Sequence, residues 1–118
     1  MDQTWIEQAK PRVVGTMLSQ YVGQVVSIIG TGSDLNSNTV SFKLTACDKT
    51  HVAVKLQNPV MRESIEGALV EIVGRVDSAQ NMTCYHLVSF PPETATSFSQ
   101  EQYAKALKTF YAVQNKEE

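Results

Sequence analysis

Few residues in this chain have the types and spacing that chemistry requires. His51 and His86 are the only histidines, and Cys47 and Cys84 the only cysteines. They stand far apart, with no Cys-x-x-Cys and no Cys/His interval suited to zinc. No serine or cysteine nucleophile is paired with a base, so the sequence predicts no catalytic residue, no metal ligand and no cofactor, and the chain reads as a non-enzyme. His86 sits beside Tyr85 and Leu87 in a strand-like run, which fits a structural or solvent-facing histidine. Gly30-Thr31-Gly32-Ser33 resembles half of a phosphate loop but lacks the lysine and helix that should follow; it reads as a hairpin turn. Glu63 and Glu66 read as one solvated face.

Single-strand binding is the remaining chemistry to test. It stacks bases on exposed aromatics and follows the backbone with cations. Lys43 and Lys55 fall at outward positions of two alternating strands, together with Ser41, Thr45, His51 and Ala53. No aromatic joins them, because Phe42 falls on the inward parity. Each missing stacking partner forgoes about 1–3 kcal/mol per base. Net charge is −2 and the isoelectric point about 5.7, against the basic balance of an autonomous nucleic-acid binder. Weak binding is therefore expected of the chain alone, with Lys43 and Lys55 read first as a solvated face and, as the alternative, as a minor backbone contact.

The elements that carry these residues follow from their periodicity. Gln24–Gly30 is short and β-branched, a first strand. Thr39–Cys47 and His51–Gln57 alternate strictly, with Val40, Phe42, Leu44, Val52, Val54 and Leu56 inward, and form a hairpin. Asn58–Gly67 is a short helical insert. Ala68–Asp77 and Met82–Phe90 are the fourth and fifth strands, and Gly74 inside the fourth marks a bulge or corner. Thr31–Asn38 reads as a loop and Thr16–Tyr21 as a short helix plugging the core. In the lead-in, Thr4 caps a turn carrying Trp5, which docks on the domain or on a partner. Five strands with a helix between the third and fourth, followed by a C-terminal helix, predict an all-β Greek-key barrel, the OB-fold; a β-sandwich is the rival. The predicted division is lead-in 1–11, barrel 12–92, and linker plus C-terminal helix 93–118. The 118 residues, 42% of them hydrophobic, suffice for one core without disulfides. No signal peptide or membrane span is read, and the cysteines fit reduced intracellular thiols.

The final stretch is the most organised. Ser99 is an N-cap with Gln102 completing a capping box, and Phe98 and Tyr103 form a hydrophobic staple. At about 100° per residue, Tyr103, Ala104, Ala106, Leu107, Phe110, Tyr111 and Val113 share an apolar arc of roughly 180°. A helix packed only on its own domain needs a stripe nearer 100°. The arc leaves two readings: a helix that covers one end of its own domain, or one that packs on its domain and also on helices of partner chains.

Three runs bear a resemblance. Arg12–Gly30, RVVGTMLSQYVGQVVSIIG, resembles the opening of the small (14-kilodalton class) subunit of replication protein A, where Arg, an apolar residue and Met-Leu lead into a strand ending in Gly. Ile65–Val76, IEGALVEIVGRV, is similar to that family's fourth strand, with one extra residue after Gly67. Phe98–Phe110 resembles its Phe-x-x-x-x-Tyr-x-x-apolar helix, while the tail after Tyr111 departs from the family's aromatic ending. The resemblance implies a nuclear, non-catalytic OB-fold subunit in DNA replication, repair and recombination. It implies a heterotrimer in which the C-terminal helix bundles with helices of a large and an intermediate OB-fold subunit. Tyr103, Ala106, Leu107, Phe110, Tyr111 and Val113 would make those contacts, and single-stranded DNA would bind chiefly through the complex. A paralogous small subunit of a telomere-capping or telomerase-associated complex shares the plan. An autonomous single-strand binder is the reading from a different class.

Overall fold

The computed structural model describes residues 11–36 and 40–116, with 113–116 as backbone only. The expected cap at Thr4 and docking of Trp5 lie outside the described residues. The strands are β1 (Arg12–Val13), β2 (Val25–Ser33), β3 (Ser41–Ala46), β4 (His51–Leu56), β5 (Leu69–Ser78) and β6 (Asn81–Ser89). Their order is β1-β2-β3-β4-β6-β5, and β2 also pairs with β5, so the sheet closes on itself. The closure is the five-stranded OB barrel read from the periodicity. β1 is an addition: two residues run parallel to Ser27 and Ile28 of β2, too few to leave a period in the sequence.

The alternating runs behave as their parity requires. Phe42, Leu44, Val52 and Val54 are buried inside the barrel with Ile28 and Ile72. His51, Ala53 and Lys55 are exposed on the other face. Val13 and Leu18 are fully buried; Leu18 belongs to a 3-10 helix, Gly15–Gln20, that plugs one end. The insert between β4 and β5 tightens to a single 3-10 turn, Arg62–Ser64, whose neighbour Ile65 is fully buried.

Gly30-Thr31-Gly32-Ser33 is strand, not a hairpin turn. Gly30 and Thr31 each pair with β3 on one side and β5 on the other. A Cβ on Gly30 would collide with the Thr45 carbonyl oxygen, and one on Gly32 would come within 2.6 Å of the Ile65 carbonyl. Two strands converge here, and only a residue without Cβ lets them approach. Gly74 has the predicted role: the β5–β6 register slips between Val73 and Gly74, so Val73 faces His86 and Gly74 faces Cys84. Tyr85 is the extra residue of that bulge.

After β6, the expected linker contains a short helix, α1 (Pro92–Ser97), with Pro at its first position and Glu93 in its first turn. Both suit a helix start, since proline lacks only an N–H that would be unpaired there and a carboxylate favours the positive end. The long helix α2 (Gln100–Lys116) follows. The Gln102 N–H donates to Ser99 Oγ at 3.2 Å, and the Phe98 and Tyr103 rings lie 5.4 Å apart. Cap and staple are thus both formed.

Asp48 joins distant parts of the chain. Its carboxylate accepts from the Gly15 N–H (3.2 Å), the Thr16 N–H (3.1 Å), the Thr16 hydroxyl (3.0 Å) and the Thr50 N–H (3.3 Å). It therefore fixes the plug against the β3–β4 turn. Partial burial pushes the carboxyl up, but the bonds from Thr16 and Thr50 outweigh it and hold its pKa below the usual value. A carboxylate held low stabilises the fold above its unfolded-state pKa, and that contribution disappears as pH falls through the folded value.

Two outcomes follow from these contacts. Gly30→Ala should destabilise by about 1–3 kcal/mol, the cost of forcing atoms into packed space; an unchanged urea midpoint would show that β2 has room there. Asp48→Asn should flatten the acid limb of a stability–pH curve below about pH 4. An acid limb as steep as that of the unsubstituted chain would mean Asp48 is not the group that titrates.

Candidate partner interface and outer groove

Helix α2 lies on the outside of the barrel, and its wide apolar arc divides there. Ala104 is buried and forms a second cluster with Val14 and Cys47, against which Tyr103, Leu107, Phe98 and Ile29 pack. Two polar contacts flank that cluster. Gln100 Nε2 donates to Thr31 Oγ1 at 3.1 Å, and the Tyr111 hydroxyl donates to the Arg12 carbonyl at 2.8 Å. Burial, then the neighbouring Tyr21 hydroxyl, pushes the Tyr111 pKa up to about 12. The Tyr103 hydroxyl is buried with no hydrogen-bond partner among the described residues. Burial raises its pKa, and the Arg12 charge opposes the rise.

The rest of the arc points away. Phe110 is 53% exposed, and Ala106, one turn before it, is exposed too. With Gln102 and Thr109 they line a shallow depression on the flank of α2 remote from the barrel. Of the six residues expected to meet partner helices, Tyr103, Leu107 and Tyr111 face the barrel at least in part. Ala106 and Phe110 face outward, and the Val113 side chain lies outside the described residues. The wheel could not make this division, because the angle that separates the two groups is fixed only by how α2 meets Val14 and Cys47.

Lys43 and Lys55 line a groove of about 460 Å³ across β3 and β4, bounded by Asp34 at one end and Gln80 and Asn81 at the other. Lys43 Nζ is 3.2 Å from Asp34 Oδ2. Register places Lys55 beside Thr83 and Thr83 beside Arg75. Arg75 Nε lies 2.9 Å from Asp77 Oδ1, and the Thr83 hydroxyl donates to Asp77 Oδ2 at 2.6 Å. The Thr83 bond, followed by Arg75, holds the Asp77 carboxyl below its usual pKa. Cations on this face therefore sit among carboxylates of the same face. Tyr85, 46% exposed, supplies an aromatic that the sequence reading missed. It lies on β6, where alternation with the buried Met82 and Cys84 turns it outward.

Other candidate groups have local partners. Glu66 Oε2 accepts from the Leu35 N–H at 2.6 Å and lies 3.5 Å from Arg62 Nη1, so it ties the insert to the loop after β2 and is not merely solvated. Cys47 and Cys84 are free and buried. Burial raises their thiol pKa values to about 12 and about 11. Among the described residues, no three of His, Cys, Asp and Glu gather as a metal site, and no helix is long and apolar enough to cross a membrane.

Over residues 1–115 the chain matches the family described as Replication factor A protein 3. A chain in the solved structure of U. maydis replication protein A bound to single-stranded DNA is similar at a TM-score of 0.71 and 22% identity, over 90% of this chain and 93% of that one. A chain of the S. pombe Stn1–Ten1 complex is similar at a TM-score of 0.64 and 12% identity, over 88% of this chain and 93% of that one. Telomere capping protein Ten1 from S. pombe is similar at a TM-score of 0.63 and 12% identity, over 88% and 99%. At these identities the structural likeness concerns the barrel and its helix.

Cys47 offers a direct probe of how α2 sits. A buried thiol with so high a pKa carries almost no thiolate at neutral pH. Ala104→Glu should lift the helix and accelerate alkylation of Cys47 by iodoacetamide, whereas Phe110→Glu should leave it slow. Equal rates in both variants, followed by mass spectrometry of the Cys47 peptide, would contradict the division of the helix into two faces.

Proposed function

Because the chain belongs to the replication factor A protein 3 family, we propose that it is a non-catalytic subunit that assembles a heterotrimeric single-stranded-DNA-binding complex in the nucleus. Its partners are a large and an intermediate OB-fold subunit, and its work lies in DNA replication, repair and recombination. One observation carries this reading: α2 leaves Phe110 and Ala106 uncovered on the flank turned from its own barrel. An apolar seam on a capped helix is the form of surface that a second helix fills. By this reading Tyr103, Leu107 and Tyr111 set the angle of α2 on the barrel, while Ala106, Phe110 and Val113 meet the partner helices. The DNA is held mainly by the partners, with Lys43 and Lys55 at most a backbone contact. The charge arrangement supports that limit, since an exposed pair such as Lys43–Asp34 leaves less net charge for phosphates.

The test is co-expression with the two partner subunits, followed by size-exclusion chromatography and weighing of each chain. Phe110→Glu should remove this chain from the trimer peak, with a loss of about 2–4 kcal/mol in binding as for a central interface aromatic. Thermal unfolding of the isolated variant should match that of the unsubstituted chain. Retention of the variant at full stoichiometry would refute the helix interface. Capture of telomere-capping components in place of the replication subunits would assign the chain to the paralogous complex.

A further inference from the structure

A second groove lies beside the first on α2, the two meeting at Lys105. The β3–β4 turn and the helix enclose a cleft of about 500 Å³, floored by Ala46, Cys47 and Ala104 and rimmed by Lys49, Lys105 and Lys108. The three lysines are exposed. Ion pairs among the described residues engage Lys43, Arg62 and Arg75; no described carboxylate is within ion-pair distance of Lys49, Lys105 or Lys108. The cleft holds two carboxylates, Asp48 and Glu101. Asp48 aims its oxygens at the plug, where it accepts from Gly15 and Thr16, but it keeps its charge, so three cations face two carboxylates and the cleft is net positive by one.

The conformation of Lys49 adds an independent observation. Its N–H donates to the Ala46 carbonyl at 2.8 Å, closing the turn, and its φ of 71° is left-handed. Glycine or asparagine occupies such a position with less strain. The turn thus holds Lys49 on the lining of the cleft at some cost in backbone strain.

We infer that this cleft is a docking site for an acidic segment of a partner protein, adjoining the apolar seam of α2 at Lys105. Three cations fit clustered carboxylates, and the small apolar floor accommodates one apolar side chain between them. Nucleic acid fits less well. No aromatic lines the cleft, so bases would have nothing to stack on.

The experiment uses the full chain and two probes: a short fluorescein-labelled peptide of Asp and Glu around a central Leu, and a mixed-sequence single-stranded oligonucleotide. The peptide should bind, be weakened by salt, and shift the amide resonances of Ala46–Lys49 and of one side of α2 from Glu101 to Lys108. Combining Lys49→Asn, Lys105→Gln and Lys108→Gln should weaken it by about tenfold, the sum of three exposed ion pairs. Lys43→Gln with Lys55→Gln should leave it unchanged. Asparagine suits the left-handed position, so the triple variant should fold; if it does not, Lys105→Gln with Lys108→Gln on the exposed helix face carries the same test at a smaller loss. The inference is overturned if the peptide does not bind or binds the variant equally. It is also overturned if the Lys43/Lys55 variant weakens the peptide as much, or if the oligonucleotide outcompetes the peptide through these lysines.

Discussion

Strand β2 must hold two neighbours at once, and the whole molecule depends on this. Residues 30 and 31 pair with β3 and β5 together, which converts an open sheet into a barrel and removes its edges. Backbones that converge in this way leave no space for side chains, so the site of closure is written in Gly30 and Gly32. The same constraint acts on β5, where a Cβ on Gly74 would strike the Thr83 carbonyl. Once the ring is closed, the inward residues of every strand share one core, and the outward residues of β3 and β4 form one face. The groove, the bed of α2 and the β3–β4 turn are all consequences of where those glycines stand.

The closed barrel alone does not secure α2. Ala104 is its buried residue, with Tyr103 and Leu107 half covered. A helix of 17 residues is near the length at which isolated helices are only marginal in water. The bonds from Gln100 and Tyr111 fix its direction more than they add to its stability, since each exchanges a bond to water for one to protein. The buried, unpartnered Tyr103 hydroxyl works against docking. The helix is thus held firmly enough to be oriented and weakly enough that further burial on its outer flank would still be favourable. That balance is what an assembly element on a rigid domain requires.

Legibility in the sequence follows the range of the interaction. Alternation in residues 40–46 and 51–57 gave the correct faces, because strand parity is a local property enforced by one buried side. Cap and staple around Ser99 were legible for the same reason, and Gly74 announced its bulge. Gly30 to Ser33 was misread: glycine means a turn by local propensity, and its use for strand convergence depends on Thr45 and Ile65 far along the chain. The Asp48 clamp was invisible, as its partners in the plug, Gly15 and Thr16, lie more than 30 positions away and Asp before Lys-Thr reads simply as turn chemistry. Tyr85 was overlooked because aromatics were sought on β3 and β4 alone, although alternation along β6, with Met82 and Cys84 inward, already turns it outward. The split of the helix arc depends on the docking angle, which no single-helix wheel contains.

Charge completes the picture. The chain carries nearly balanced numbers of cations and carboxylates, so what matters is where they meet. On the β3–β4 face, Asp34 meets Lys43 and Asp77 meets Arg75, which leaves a surface of low net field. Counterion release, the main source of affinity for single strands, scales with the phosphates a surface can neutralise. A face whose Lys43 and Arg75 are already paired gains less from DNA. Beside α2 the pairing differs: Asp48 and Glu101 share the cleft with Lys49, Lys105 and Lys108, but no described carboxylate lies within ion-pair distance of those lysines. The residue that fixes the fold at the β3–β4 turn aims its carboxylate at Gly15 and Thr16, so it forms no ion pair with the rim of Lys49, Lys105 and Lys108, although its charge still lies beside them.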